Sequence, residues 1–339
     1  MYERKIISLG RSSLVVSLPK QWIKLNDLKQ GDVVSLKIQS DGSLVVYSKP
    51  TKGPEVREIT LHVDPSERSE WLVRKIIACY LNGYRTIRLV STDIFTLAQQ
   101  KAIRNIVRVL YMRIMDSDAR NIYIQTLIDE TKASLSTAVR RMYTICSSMV
   151  RDSFEALRNQ DIELAKVVCS LDDDVDHFGF FLVRLLRGAL IDPSLCEYLK
   201  IESVDCIDYL TLVHRIEHVA DHASSIAKNV IILNCRGQKL EDPLLESIIL
   251  MSNEALKAFN EAVNAFFSGD EAASNDVIEY QGKVETLDRK AAEMLAGETN
   301  ALKVCVTCSI RDSIKRIVEY SADIAEVTIN QSYKPKSQT

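Results

Sequence analysis

Two pairs of acidic residues are the groups in this sequence best suited to chemistry. Glu217 and Asp221 lie in the stretch RIEHVADHASSIAKNV, and Asp172 and Asp176 lie in SLDDDVDH. Residues four apart on a helix project from the same side, so two such helices packed antiparallel would gather three or four carboxylates. Like charges repel and a desolvated carboxylate is costly, and a bound cation removes both penalties. Hard oxygen ligands suit magnesium, manganese, calcium or iron; the alternative is a solvated edge of two amphipathic helices.

The same pattern returns 102 residues later in the stretch RIVEYSADIA, which holds Glu319 and Asp323. On its partner helix Glu285 takes the place of Asp176, while Gln281 takes the place of Asp172. This second set therefore has three carboxylates. We expect it to bind metal weakly or not at all.

Four of the five histidines accompany the first set. His177 follows Asp176, and three histidines recur at every fourth position beside Glu217, namely His214, His218 and His222. That stripe is turned by about 100° from the acidic one, so at most one or two histidines share ligation and the others lie on the helix surface. Ligation by histidine would shift the preference towards iron, zinc or another transition metal.

The composition indicates a helix-rich protein with two or three domains. The chain has 339 residues, 46% of them apolar and 26% charged, with few glycines and prolines. No apolar run reaches the roughly 18 residues that span a bilayer, and MYERKIISLG has no signal-peptide pattern. We therefore expect a cytoplasmic protein without membrane insertion. Residues 1–125 carry 20 Lys and Arg against 12 Asp and Glu, whereas residues 126–339 carry 23 against 34, which suggests different partners for the two halves.

The eight cysteines have no framework spacing, which suggests reduced thiols. Cys305 and Cys308 form a lone CxxC inside a helical pattern, and we expect both to be small buried residues.

The chain divides into segments of different periodicity. Residues 1–48 predict short strands, a helix from Lys20 to Leu28 and a hairpin around residues 40–43, and residues 49–56 look like a linker. Residues 57–126 predict a small α/β domain of βαβαββ order without a glycine-rich phosphate loop. The remainder predicts two three-helix bundles, 129–233 and 241–333, with an insert only in the first. The six helices are expected at 129–158, 161–188, 204–233, 241–267, 270–296 and 300–332.

The two E-x-x-x-D helices and their D-x-x-x-D partner resemble the PhoU family of phosphate-signalling proteins. The resemblance covers about residues 129–333 and implies two similar three-helix bundles with multinuclear metal sites. By position it implies seven metal contacts: Asp172, Asp176, Glu217, Asp221, Glu285, Glu319 and Asp323. Iron, zinc, manganese or magnesium are the expected ions, and Gln281 departs from the family pattern.

The stretch LGRSSLVVSLPKQWIKLNDLKQGDVVSLKI is similar to the SpoVT/AbrB swapped-hairpin family. That resemblance implies two interleaved chains that bind DNA, and the whole combination resembles archaeal phosphate-uptake regulators. DNA binding needs cations placed to meet phosphates. The candidates are Arg4, Lys5, Arg11 and Lys20, with Lys24 as a further one; alternatively these are solubilising charges on a dimerisation module.

These resemblances imply a homodimeric, DNA-binding regulator of phosphate uptake that senses its state through metal-bearing bundles. The alternative is an adaptor that restrains a phosphate transporter ATPase or a sensor kinase and uses residues 1–48 only to dimerise. A metalloenzyme is disfavoured because the sequence offers no separate general base or nucleophile.

Overall fold

The computed structural model describes residues 3–38, 42–48 and 57–334. The chain forms two compact units, residues 1–55 with 335–339, and residues 56–334.

The described residues of the first unit form two short hairpins and one short helix. Gly10, with φ +71°, lies in the turn of the first hairpin, a conformation that glycine adopts without strain. The predicted helix ends at Leu25 instead of Leu28, and the Asn26 side chain donates to the Trp22 carbonyl at its end. Residues 39–41 of the predicted hairpin and the predicted linker 49–56 lie outside the described residues. The elements are β1 (Ile7–Leu9), β2 (Ser13–Val15), α1 (Lys20–Leu25), β3 (Ser35–Ile38) and β4 (Leu44–Tyr47), with β1 paired to β2 and β3 to β4, both antiparallel.

This unit encloses no core among its described side chains, none of which is buried. Its apolar residues face outward: Leu14 is 73% exposed, Leu25 81% and Ile38 77%. Four short strands and one helix of six residues leave these apolar groups uncovered.

The α/β part has the predicted βαβαββ order. The elements are β5 (Glu58–Val63), α2 (Ser69–Leu81), β6 (Thr86–Ser91), α3 (Leu97–Val109), β7 (Met112–Ser117) and β8 (Asn121–Thr126). The sheet runs β5-β6-β8-β7; β5 and β6 are parallel, and the other neighbours are antiparallel. The core lies where buried residues of the helices, such as Leu72 and Ile103, meet Ile87 and Leu89 of the inner strand β6.

The rest of the described chain is helical and forms two bundles that share one core. The helices are α4 (Leu135–Asn159), α5 (Ile162–Ile191), α6 (Pro193–Leu199), α7 (Asp205–Cys235), α8 (Asp242–Ser268), α9 (Glu271–Ile278), α10 (Tyr280–Leu295) and α11 (Ala301–Ser332). The first bundle contains α4, α5 and α7, the second contains α8 to α11, and α7 packs against α11. No described helix has the length and apolar character needed to cross a membrane.

Several predicted helix bounds need correction. The first helix begins at Leu135 instead of residue 129, because Glu130–Lys132 forms a 3-10 turn and the Ser134 side chain caps the helix by accepting from the backbone of Thr137. The helix predicted at 270–296 is broken at Glu279 into α9 and α10. The insert of the first bundle contains the short helix α6.

The prediction that Cys305 and Cys308 are buried is wrong, since both are exposed. Helix α11 buries the stripe that includes Val306 and Ile310. Positions 305 and 308 fall outside that stripe, so the helical phase turns both thiols to solvent.

Candidate metal centre

The four acids of the first set lie on facing sides of α5 and α7. A Cβ atom at Gly179 would lie 3.5 Å from Oε2 of Glu217, and Nζ of Lys228 lies 4.0 Å from Oδ2 of Asp172. Residue numbers thus rise along α5 as they fall along α7, so the helices are antiparallel as required. Asp172, Asp176 and Glu217 are half-buried, while Asp221 remains exposed.

The sequence analysis missed two residues that border this site. Gly179 faces Glu217 from α5, and a Cβ atom there would make only an ordinary van der Waals contact with the carboxylate. Cys146 approaches from α4: it is fully buried, and its thiol donates to the Ile216 carbonyl at 3.3 Å. Burial, and then the charges of Asp172 and Asp221, raise the pKa of this thiol well above its usual value. A glycine in mid-helix one turn after Asp176 was the available signal.

The carboxylates affect one another's protonation. Desolvation, then the charges of Asp172 and Asp221, raise the pKa of Asp176 to about 6. Desolvation, then the charges of Asp176 and Asp221, raise the pKa of Glu217 to about 7. The pKa values of Asp172 and Asp221 are also raised, chiefly by desolvation. The two pairs thus lie close enough to raise each other's pKa values, while their role as metal ligands stays a prediction.

The donor chemistry of this set fits a hard cation. Four carboxylates converge, and within the described residues their one ion pair is the contact of 4.0 Å between Lys228 and Asp172. A divalent ion would offset the repulsion that raises their pKa values. Among the described side chains, however, no group of three or more acids, histidines or cysteines is already arranged as a metal site. The set is a convergence of donors without a closed coordination shell.

The acids of the second set have cationic partners. Glu319 pairs with Arg316 at 2.7 Å, and Glu285 with Arg289 at 3.8 Å. Lys315 lines an open depression of about 880 Å³, including open solvent, together with Gln281, Val284, Glu285, Val318 and Glu319. Cations of the protein thus surround the carboxylates here. That the second set binds metal less well than the first stays a prediction.

Arginine 215 supplies the partner of the remaining acid. Its Nε lies 2.8 Å from Oδ2 of Asp323, close enough for an ion pair although not aligned as a hydrogen bond. Its guanidinium also lies over the Tyr320 ring, 5.2 Å from the ring centre. A residue of the first bundle therefore compensates an acid of the second, which the sequence alone did not reveal.

Two of the three histidines of α7 contact a ring of the second bundle. The ring centres of His218 and His222 lie 5.2 Å and 5.8 Å from that of Tyr320 on α11, whereas His214 is exposed. Burial lowers the pKa of His222. His177 lies on α5, with its ring centre 5.4 Å from that of Tyr111 in the α/β part. Ligation by any of them stays a prediction.

The four candidate DNA contacts are all solvent-exposed. Arg4 and Lys5 precede β1, Arg11 lies in the turn between β1 and β2, and Lys20 begins α1. Arg4 donates from Nη1 to the Glu3 carbonyl at 3.2 Å. Such positions permit contact with a polyanion, and their role stays a prediction.

Comparison with known solved structures supports the helical fold. PhoU from Pseudomonas aeruginosa superposes with a TM-score of 0.52 at 20% identity, over 58% of this chain and 95% of that one. The phosphate transport system regulatory protein PhoU from Streptococcus pneumoniae gives 0.51 at 15% identity, over 60% and 96%. At these identities the likeness shows the fold alone.

Two curated proteins are similar in sequence, both named phosphate-specific transport system accessory protein PhoU homolog. That of Clostridium acetobutylicum is 25% identical over 160 residues, which are 46% of this chain and 69% of the relative. That of Aquifex aeolicus is 27% identical over 165 residues, 47% and 68% of the two chains.

Two family models match the chain. Residues 7–54 match the model described as antidote-toxin recognition MazE, bacterial antitoxin. This match supports the predicted AbrB-like N-terminal segment, residues 1–48 (the front). Residues 139–230 and 248–328 both match the PhoU domain, and together they cover just over half of the chain. The chain therefore belongs to the PhoU domain family.

Proposed function

We propose that this protein regulates phosphate transport, acting in the cytoplasm as a DNA-binding transcriptional regulator whose bundles bind metal. The observation that carries the proposal is the pairing of two PhoU segments with a front similar to MazE in one chain. The relatives' names refer to accessory proteins of a phosphate-specific transport system. They support a regulatory role over an enzymatic one.

The first bundle would hold the cation. Asp172, Asp176, Glu217 and Asp221 would bind it, and its charge would replace the protons that desolvation and mutual repulsion favour. The compensated acids Glu285, Glu319 and Asp323 would bind a second ion weakly. Magnesium, manganese, iron and zinc are the candidate ions.

The front would bind DNA as a homodimer. The exposed apolar side chains of residues 3–38 and 42–48 need a cover, and a second copy of this unit would supply one. Arg4, Lys5, Arg11 and Lys20 would then meet phosphates from both copies.

Elemental analysis of protein purified without added metal, followed by a genome-wide DNA-binding assay on the same material, tests this proposal. We expect bound metal and enrichment of DNA near phosphate-transport genes. Protein that carries no metal, or a DNA profile equal to that of a mock purification, would contradict the corresponding part.

The second candidate is an adaptor that restrains a phosphate transporter ATPase or sensor kinase by direct contact. It is favoured by the names of the relatives, and by a front whose exposed apolar surface would also serve dimerisation alone. DNA affinity with a steep salt dependence distinguishes the two, since the adaptor would lack it.

A further inference from the structure

Two faces of helix α5 make contacts with other parts of the protein. They are offset by one residue, which is about 100° around the helix axis. One face carries Asp172, Asp176 and Gly179 towards α7. The other carries a stripe with spacings of three, four and three residues, and each member contacts the α/β part: His177, Phe180, Arg184 and Arg187. The helix that supplies half of the acidic set is therefore also the helix that holds the α/β part.

Arg184 is the main attachment between the two parts. Its side chain is 1% exposed, and its Nε lies 2.6 Å from Oε1 of Glu130. Its Nη1 donates to the carbonyls of Tyr80 and Tyr84, the latter at 3.0 Å. Arg187 adds a hydrogen bond of 2.9 Å to Oδ1 of Asn82. A buried guanidinium with this many partners fixes α5 against the end of α2.

Tyr111 contacts α5 at His177, the residue directly after Asp176. It lies between α3 and β7 with φ +50°, a left-handed conformation that bulky residues rarely adopt. Its ring is tilted by 56° against that of His177, which directly follows Asp176. The charge of Asp174 contributes to raising the pKa of Tyr111 after desolvation. The ring is thus placed against the turn of α5 that carries the acids.

The solved relatives do not align with the whole chain. They align over 58% and 60% of this chain, about the share that α4 to α11 occupy, and the PhoU matches fall within residues 139–328. A domain docked on the acid-bearing helix is therefore a feature of this chain that those relatives do not explain.

We propose that the α/β part positions α5 for cation binding, and that the contact between Tyr111 and His177 couples the α/β part to the cation site. This inference rests on the proposed cation site. Tyr111 is a positioning residue: it holds the turn that bears Asp176 and does not itself bind the ion. Because coupling between sites is reciprocal, cation binding must in turn stabilise this contact.

Calorimetric titration of the full chain with Mn²⁺ tests the first half. Tyr111→Ala should weaken binding at the tighter site by about 2- to 30-fold, while Tyr111→Phe should retain wild-type affinity because the ring is kept. Tyr123→Ala is the matched control, since Tyr123 lies in the same domain and contacts Arg88 instead of α5. If Tyr111→Ala does not fold, Arg187→Ala removes an exposed contact of the same junction and should weaken binding in the same direction.

Hydrogen exchange with and without Mn²⁺ tests the second half. Amides at the end of α3 and the start of β7 should exchange more slowly when Mn²⁺ is bound, and those of β5 should not change. Equal Mn²⁺ affinity in Tyr111→Ala and wild type, or unchanged exchange at this junction, would overturn the inference. A wild type that binds no Mn²⁺ refutes the cation site itself, whereas normal binding that is indifferent to Tyr111 refutes only the coupling.

Discussion

Arg215 of α7 and Asp323 of α11 form an ion pair between the two bundles, with 2.8 Å between Nε and Oδ2. Arg215 lies two residues before Glu217, yet it faces the other bundle. Helix α7 thus presents Glu217 and Asp221 to α5 on one side. On another side its Arg215 pairs with Asp323, an acid of the second bundle. This relationship separates the two acidic sets chemically, although the E-x-x-x-D spacing of α7 recurs on α11.

Replacing Arg215 by Ala should strengthen cation binding at the second set. The change removes the partner of Asp323 and leaves its charge to repel Glu319, a penalty that a cation would relieve. Titration with Mn²⁺ should show a second, weak site becoming tighter. Arg236→Ala is the control, because Arg236 directly follows the same helix and is exposed. An unchanged second site in Arg215→Ala would show that Arg215 does not limit it.

Asp221→Ala should lower metal content more than Asp323→Ala. Asp221 belongs to a set of four acids with raised pKa values, whereas Asp323 already has a cationic partner. Elemental analysis of the two variants and the wild type, purified in parallel, measures this. Equal losses, or a wild type without metal, would reject the ranking.

Glu217→Gln should raise the thermal stability of the metal-free protein at pH 8. The pKa of the Glu217 carboxyl is near its ordinary value of 4.5 in the unfolded chain and about 7 in the folded chain. The folded state therefore binds more protons between these values, and the stability that Glu217 contributes is lost as pH rises through that window. The gain in Tm over wild type, measured with a chelator present, should be largest at pH 8 and shrink towards pH 5. Glu285→Gln, whose side chain is 69% exposed, should show no such trend.

Deleting residues 1–48 should reduce the oligomeric state. Without this unit the exposed apolar side chains that require a cover are gone, and with them the main predicted dimer contact. Light scattering coupled to gel filtration compares the truncated and full chains. A truncated chain that stays a full dimer would assign dimerisation to the bundles instead.

Arg11→Ala should weaken DNA binding and flatten its salt dependence, because each lost phosphate contact removes about one released counterion from the slope. Metal content should stay at the wild-type level, since Arg11 belongs to the other compact unit. Anisotropy titrations at several salt concentrations measure the slope. Lys101→Ala, an exposed charge on α3, serves as control, and equal slopes in wild type and Arg11→Ala would remove Arg11 from the DNA contacts.

The sequence determined the larger features by itself. Apolar periods of about 3.6 and 2 residues separate helices from strands, and this predicted the strands of the front, the βαβαββ order and six helical segments. The spacing of four residues between Asp172 and Asp176, and between Glu217 and Asp221, is likewise local information. This spacing places the two acids of each pair on one helix face, because the helical period alone determines which residues share a face.

Tertiary structure decided what each face meets. The pattern around Glu319 and Asp323 resembles that around Glu217 and Asp221, yet only the packing of α7 on α11 brings Arg215 to Asp323. The same holds for Cys305 and Cys308, whose exposure depends on which stripe of α11 the neighbouring helices cover. Charge compensation and burial arise between residues far apart in the chain. No local spacing encodes them, so the difference between the two acidic sets emerged only when the helices were packed.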